Sequence, residues 1–271
     1  LPLLAEKLPL SFETLFSDLD GTFPNRGSDP TIRKHQKHLV QLLRSEAFDF
    51  GIAFDGDADR IAFLDERGNY VNCAIIGAII AERLIAEEPG AGIVFTNLTS
   101  RVFEESISAA GGKPIRARVG HAFLKRKMRE TGAVFGAEHS GHFFFRDFFT
   151  TDSVVLTLRY VLEAYADARD EGKTFSEMVR RYQRYQQLED VVVAVEDKGA
   201  VIQAVAAFLG EQMPEATVKR FDGLFVSTDR AWGAVKPSVT EHAVKVMFEG
   251  YKKADAKALQ DALIAVVRQH A

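Results

Sequence analysis

The sequence predicts a layered α/β chain that ends in a smaller α+β domain. Between residues 73 and 180, short apolar runs alternate with helical patterns, as expected of strands covered by helices. Ahead of them two apolar runs, Gly51-Ile52-Ala53-Phe54 and Ile61-Ala62-Phe63-Leu64, bracket an acidic loop and read as buried strands. Beyond residue 186 three strand patterns, 191–195, 223–227 and 243–249, are joined by only two helical ones, 199–212 and 255–269.

The elements follow in order. Glycine and proline punctuate residues 20 to 30, a loop. Residues 31–47 then form an amphipathic helix with Ile32, Leu39, Val40, Leu42 and Leu43 on one side, and Pro30 suits its entry. After the acidic loop, Asp65-Glu66-Arg67-Gly68-Asn69 turns the chain into a third strand, compatible with the edge of a mixed sheet. Residues 74–87 make an apolar helix and 92–96 a strand; 100–110 make a helix closed by Gly111-Gly112. A basic helix covers 122–130. Phe143 to Phe149 is core strand plus turn, and 152–171 is a long helix with Asp152 or Ser153 near its cap. Three domains are expected: 1–72, 73–185 and 186–271.

Composition narrows the function. A chain of 271 residues, 46% hydrophobic and 27% charged, suits a water-soluble protein of two or more domains. Its net charge of -4 argues against nucleic acid or an anionic membrane as partner. The single cysteine, Cys73, excludes an internal disulfide and fits a reducing, cytoplasmic setting. No apolar run approaches the roughly 20 residues of a membrane-spanning helix. The start, Leu1 to Lys7, lacks the basic head and apolar core of a signal peptide. It enters what reads as the middle of a domain, so a preceding piece is expected.

Asp55, Asp57 and Asp59 alternate along the acidic loop. Held together at a strand end they repel by several kcal/mol at roughly interior dielectric, and a hard divalent cation such as Mg2+ cancels that repulsion through oxygen ligands. Other readings exist. One is an ordinary acidic turn. Another is a calcium loop: Asp55, Asp57, Asp59 and Glu66 match positions one, three, five and twelve of the EF-hand pattern, but Arg60 stands where glycine is required and the flanks are strand-like. A phosphatase with Asp18 of Asp18-Leu19-Asp20-Gly21-Thr22 as nucleophile needs a buried strand before it, and 12–17 is a poor one. Arg60 either neutralises the acids or, with its planar fork, reaches a phosphate.

His121 begins the basic helix, where backbone N–H groups favour an anion. Gly136 to His142 hangs off a strand end. There Glu138 can accept from two vicinal hydroxyls, Ser140 can give and accept, and small glycines let a sugar ring approach. His142 titrates near neutral pH. A histidine-rich turn, or zinc held by His139 and His142, are competing readings. Lys236, Ser238 and Thr240 place a cation and two hydroxyls in one loop, a cradle for phosphate or a turn with incidental hydroxyls.

The segment Asp55-Gly56-Asp57-Ala58-Asp59-Arg60 closely resembles the metal-binding loop of the alpha-D-phosphohexomutases, the phosphomannomutase/phosphoglucomutase family. Gly120-His121 and Gly136 to His142 resemble that family's Gly-His element and Gly-Glu-x-Ser-Gly-His sugar loop, with Ala137 intruding. Residues 236–242 resemble its phosphate loop, with Lys236 for arginine, Val239 for asparagine and His242 for proline. Leu98 stands where some relatives have a lysine, with Arg101 as a partial substitute. The resemblance implies phosphoryl exchange between C1 and C6 of a mannose or glucose phosphate through a bisphosphorylated sugar and a phosphoserine on a preceding domain. It implies Mg2+ on Asp55, Asp57 and Asp59, catalysis by Arg60, His121 and His142, ring orientation by Glu138 and Ser140, and a phosphate held by Lys236, Ser238 and Thr240. On that view the 271 residues alone bind without turning over. A non-catalytic sugar-phosphate-binding relative is the alternative.

Overall fold

The computed structural model describes residues 9–238 and 241–271. A short 3-10 turn, Arg33–Gln36, leads into α1 (Lys37–Ser45), so the single expected helix over 31–47 starts as a tighter turn. Strands β1 (Phe50–Phe54), β2 (Ile61–Asp65) and β3 (Tyr70–Val71) then form a sheet in sequence order. Both pairings are antiparallel, so the expected mixed edge is an antiparallel meander. The central strand β2 is buried at every position, which its unbroken apolar run requires.

Next comes α2 (Cys73–Glu87), capped by Asn72 Oδ1, which accepts from the Ala74 amide at 2.7 Å. This helix is apolar nearly all round because it is sandwiched between layers. A five-stranded sheet follows, built from β4 (Gly92–Thr96), β5 (Lys113–Ala117), β6 (Phe135–Ala137), β7 (Phe143–Phe145) and β8 (Thr151–Asp152), in the order β5-β4-β6-β7-β8. The β4 pairings with β5 and β6 are parallel and carry helices α3 (Arg101–Ala109) and α4 (His121–Thr131) as crossovers. Helix α5 (Val154–Asp170) is capped by Ser153, and the short α6 (Phe175–Arg180) by a capping box of Thr174 and Glu177.

The first sheet does not stand apart. Ile61, Phe63 and Val71 share one apolar cluster with Phe95, Phe103, Phe135 and Phe175. Phe50 stacks on Phe175 with centroids 4.6 Å apart, and Ser176 Oγ donates to Glu66 at 2.6 Å. The acidic loop is thereby held rigidly against the middle layers.

The carboxy-terminal part has its own core. Strands β10 (Val191–Ala194), β11 (Thr217–Arg220), β12 (Leu224–Ser227), β13 (Ala231–Pro237) and β14 (Ala243–Gly250) run β10-β14-β13-β12-β11, all antiparallel, with β9 (Gln186–Gln187) added beside β14. Helices α7 (Lys198–Gln212) and α8 (Lys253–Gln269) pack against it, an α+β unit as expected. Leu98 joins a small cluster with Ala234 and Met247 at the seam with the middle layers. In that setting a lysine would bury its ammonium, whereas leucine packs. Arg101 is also committed to the seam, its guanidinium carbon 4.1 Å above the Trp232 ring centroid. No helix among the described residues is long and apolar enough to cross a membrane.

Candidate active site

Phe54 of β1 pairs with Ile61 of β2, so Asp55 to Arg60 is the loop of a hairpin. Ala58 takes φ 59, a left-handed conformation that tightens the turn. This fold-back gathers the alternating acids: Asp55, Asp57 and Asp59 each offer an oxygen within 4.8 Å of the others'. It is the one such cluster of three or more histidine, cysteine or acidic ligands among the described residues. Oxygen donors from three carboxylates fit a hard divalent cation. The calcium-loop reading fails because strands flank the loop and Glu66 binds Ser176 instead. Asp18 is exposed on irregular backbone, and among the described residues before it, 9–17, there is no strand, so the phosphatase reading finds no support.

Arg60 lies across the inner acid. Its backbone amide donates to Asp55 Oδ1 at 3.0 Å, its Nε to Asp55 Oδ2 at 2.7 Å, and its Nη1 to Asp29 Oδ2 at 3.2 Å. Burial works to raise the Asp55 carboxyl, but these Arg60 bonds outweigh it and hold it below the usual range. Asp59 goes the other way, raised by burial and then by the neighbouring Asp55. Asp55 thus has Arg60 as its counter-ion, whereas Asp59 faces only the His142 imidazole.

The turn from Glu138 to His142 faces this loop. Glu138 is buried, and its Oε1 accepts from the Gly120 amide at 3.0 Å. His142 bridges the two loops: Nε2 lies 3.3 Å from Asp59 Oδ1, and Nδ1 lies 3.3 Å from Glu138 Oε2 and 2.9 Å from Ser140 Oγ. Burial alone would lower the His142 imidazole, but the Glu138 carboxylate and then Asp59 bring it above its ordinary value. The His121 ring stacks on His142, centroids 5.8 Å apart and nearly parallel. A zinc pair finds no support, because His139 turns instead to Lys245, whose Nζ is 3.2 Å from His139 Nε2.

The expected phosphate loop is only partly described, since Thr240 and Val239 lie outside the described residues. Lys236 is buried and pairs with Asp222 Oδ2 at 3.0 Å. Ser238 Oγ accepts from the Glu241 amide at 3.2 Å, and Lys198 Nζ donates to the Ser238 and Glu241 carbonyls at 2.9 and 3.1 Å. The sequence pattern did not single out Asp29, Asp222 or Lys198 as members of the site. Asp29-Pro30-Thr31 carried one signal, an Asx turn in which Asp29 Oδ1 accepts from Thr31.

An antiparallel hairpin bearing acids is thus docked on a layered α/β domain that presents a histidine turn. Sequence profiles extend the match. Residues 73–185 fit "Phosphoglucomutase/phosphomannomutase, alpha/beta/alpha domain III" and residues 1–68 fit domain II of the same family. A phosphomannomutase/phosphoglucomutase of Pseudomonas aeruginosa is 32% identical over 250 residues, 92% of this chain and 53% of that one. A phosphomannomutase of Methanocaldococcus jannaschii is 30% identical over 230 residues, 85% of this chain and 50% of that one. Among solved structures, a phosphoglucomutase/phosphomannomutase family protein of Burkholderia thailandensis superposes with a TM-score of 0.83 at 27% identity, over 94% of this chain and 54% of that one. The fold extends to an Aspergillus fumigatus N-acetylphosphoglucosamine mutase in complex with GlcNAc-6P and magnesium, with a TM-score of 0.57 at 17% identity, over 91% of this chain and 53% of that one. The chain belongs to the alpha-D-phosphohexomutase family. It spans about half the length of the curated relatives it matches.

Proposed function

We propose that this chain forms the metal, sugar and distal-phosphate parts of a phosphohexomutase that moves a phosphoryl group between C1 and C6 of mannose or glucose phosphate. The observation that carries this reading is the His142 bridge, with Asp59 on one ring nitrogen and Glu138 on the other. In this reading the imidazole is a proton acceptor, with the acid cluster on the phosphoryl side and Glu138 as the carboxylate that takes sugar hydroxyls. Neighbours support the substrate class: the relatives named above are mutases of hexose phosphates.

In this reading Asp55, Asp57 and Asp59 hold Mg2+, which supplies charge neutralisation at the transferring phosphoryl group. Glu138 and Ser140 accept adjacent ring hydroxyls on the lone pairs that His142 and Gly120 leave free. His142 takes the proton of the attacking hydroxyl and returns it when the transfer reverses. His121, stacked on it, adds donor capacity at a helix start that favours an anion. Arg60 fixes Asp55 and turns the rest of its fork toward the bound phosphate. The Lys236 and Ser238 strand end, with Thr240, receives the phosphate that is not reacting. The phosphoserine that gives and takes the phosphoryl group belongs to another domain, so two successive transfers pass through a bisphosphorylated sugar.

The test is turnover of mannose 1-phosphate and glucose 1-phosphate by the full-length protein that contains this chain. Conversion to the 6-phosphate is expected, with kcat reduced about 100-fold or more by His142→Gln. Binding of both sugar phosphates with no conversion of either would replace this reading with a non-catalytic sugar-phosphate-binding relative.

A further inference from the structure

Asp222 occupies the tip of the hairpin between β11 and β12, at φ 52, followed by Gly223 at φ 108. A Cβ on Gly223 would lie 2.6 Å from the Val235 carbonyl oxygen, so glycine lets this tip press onto β13. Pressed there, the Asp222 side chain is only 8% exposed. Its Oδ2 accepts from two directions: from Lys236 Nζ at 3.0 Å on its own sheet, and from the Val119 amide at 2.8 Å in the loop that leads to His121. Its Oδ1 faces Arg118 Nε at 3.7 Å. The adjoining Phe221 carbonyl accepts from Asn97 Nδ2 at 2.6 Å, in the loop after β4. The tip is therefore gripped by two loops of the middle layers, after β4 and after β5.

Lys236 has little freedom here. Its side chain is 6% exposed, and a buried ammonium without an anion is strongly disfavoured. The carboxylate that satisfies it also orients the backbone beside His121, so displacing the cation must be felt across the seam.

We propose that Asp222 is a positioning residue that couples the Lys236–Ser238 strand end to the Val119-Gly120-His121 loop, so that engaging a phosphate at one sets the other. This rests on the phosphohexomutase reading for its catalytic meaning, but not for the coupling itself. In this arrangement Lys236 acts on the Val119 amide through the Asp222 oxygen that both groups share.

Amide hydrogen exchange on the full-length protein separates these claims. Asp222→Asn suits the test because asparagine tolerates the left-handed backbone and keeps an acceptor while losing the charge. Lys236→Met is the second variant, which removes the cation and leaves the Asp222 carboxylate in place. Exchange in the peptide spanning 117–121 should accelerate about tenfold in both variants, while the peptide spanning 61–65 in β2 stays protected. Unchanged exchange at 117–121 in Lys236→Met would overturn the coupling. In turnover assays, Asp222→Asn should raise KM for hexose phosphate about tenfold with kcat within about threefold, because distal phosphate binding contributes equally to ground and transition states. Unchanged KM together with unchanged kcat would overturn the positioning role. If the unmodified protein turns over no hexose phosphate, the mutase reading fails and the exchange result still decides the coupling.

Discussion

The amide of Ile61 donates to the carbonyl of Gly141 across 3.1 Å, joining the strand that leaves the acidic loop to the turn that carries Glu138 and His142. Gly141 sits at φ 95, and a Cβ there would lie 2.8 Å from the Ile61 carbonyl oxygen. Gly141→Ala should therefore cost about 2–3 kcal/mol, from left-handed strain plus a backbone clash. Urea unfolding checks the size, and a loss below about 0.5 kcal/mol would mean that the seam is not tight.

Asp57 is the exposed member of the acid cluster, so its removal separates metal binding from stability. In Asp57→Asn the metal-free unfolding midpoint should stay within about 2 °C of the parent. Mg2+ affinity, measured by calorimetric titration, should fall about tenfold or more, because ligand charge sets the affinity of such sites. Added Mg2+ should raise the melting temperature of the parent by linkage and raise that of the variant less. Equal Mg2+ responses from the two proteins would remove Asp57 from the metal site.

Much of this site was legible because its groups are local in sequence. The acids alternate within one loop, and Glu138, Ser140 and His142 share one turn. Strand β4 appears at its expected limits, since its apolar run is bounded by Gly92 and Asn97. What periodicity could not give was who faces whom. Arg60 finds Asp29 31 residues away, Val119 finds Asp222 at 103, and Arg101 finds Glu249 at 148. Trp232 is a buried residue of β13, its indole N–H donating to Glu249 on the neighbouring strand. The missed helix α6 did carry a local signal, the Thr174 to Glu177 capping box.

His139 gives a pH dependence with a defined sign. Burial first, and the Lys245 ammonium next, push its imidazole down to about 4, against about 6.5 in an unfolded chain. Lys245 donates to Nε2, which leaves Nδ1 to carry the proton, and Nδ1 is enclosed without a partner. Between these two values the unfolded chain binds the proton and the folded chain does not. Stability present in full above about pH 6.5 is then lost as pH falls toward 4, by up to about 3 kcal/mol. Urea midpoints at pH 7 and pH 4.5 should therefore diverge less in His139→Gln than in the parent. Identical divergence would assign the acid sensitivity elsewhere.

Glu249 closes the seam between α3 and the carboxy-terminal sheet, and its replacement tests how that seam is held. Its Oε1 accepts from the Arg101 amide at 2.6 Å and from Trp232 Nε1 at 2.5 Å, while burial raises its carboxyl above the usual range. The first of these bonds satisfies an amide at the start of α3, where no intrahelical acceptor exists. Glu249→Ala would strand both donors in a closed space and leave a void beside the Trp232, Tyr185 and Tyr251 rings, whose centroids lie 4.8 to 5.5 Å apart. A cost of about 3–4 kcal/mol is expected from two orphaned donors and the lost packing. Glu249→Gln keeps an acceptor oxygen in place, and because the burial that raises the carboxyl penalises charge, it should cost less than about 1.5 kcal/mol. Chemical unfolding of the two variants gives the comparison. If glutamine proves as damaging as alanine, the negative charge rather than the acceptor geometry holds the seam, and the cation above Trp232, Arg101, becomes its partner.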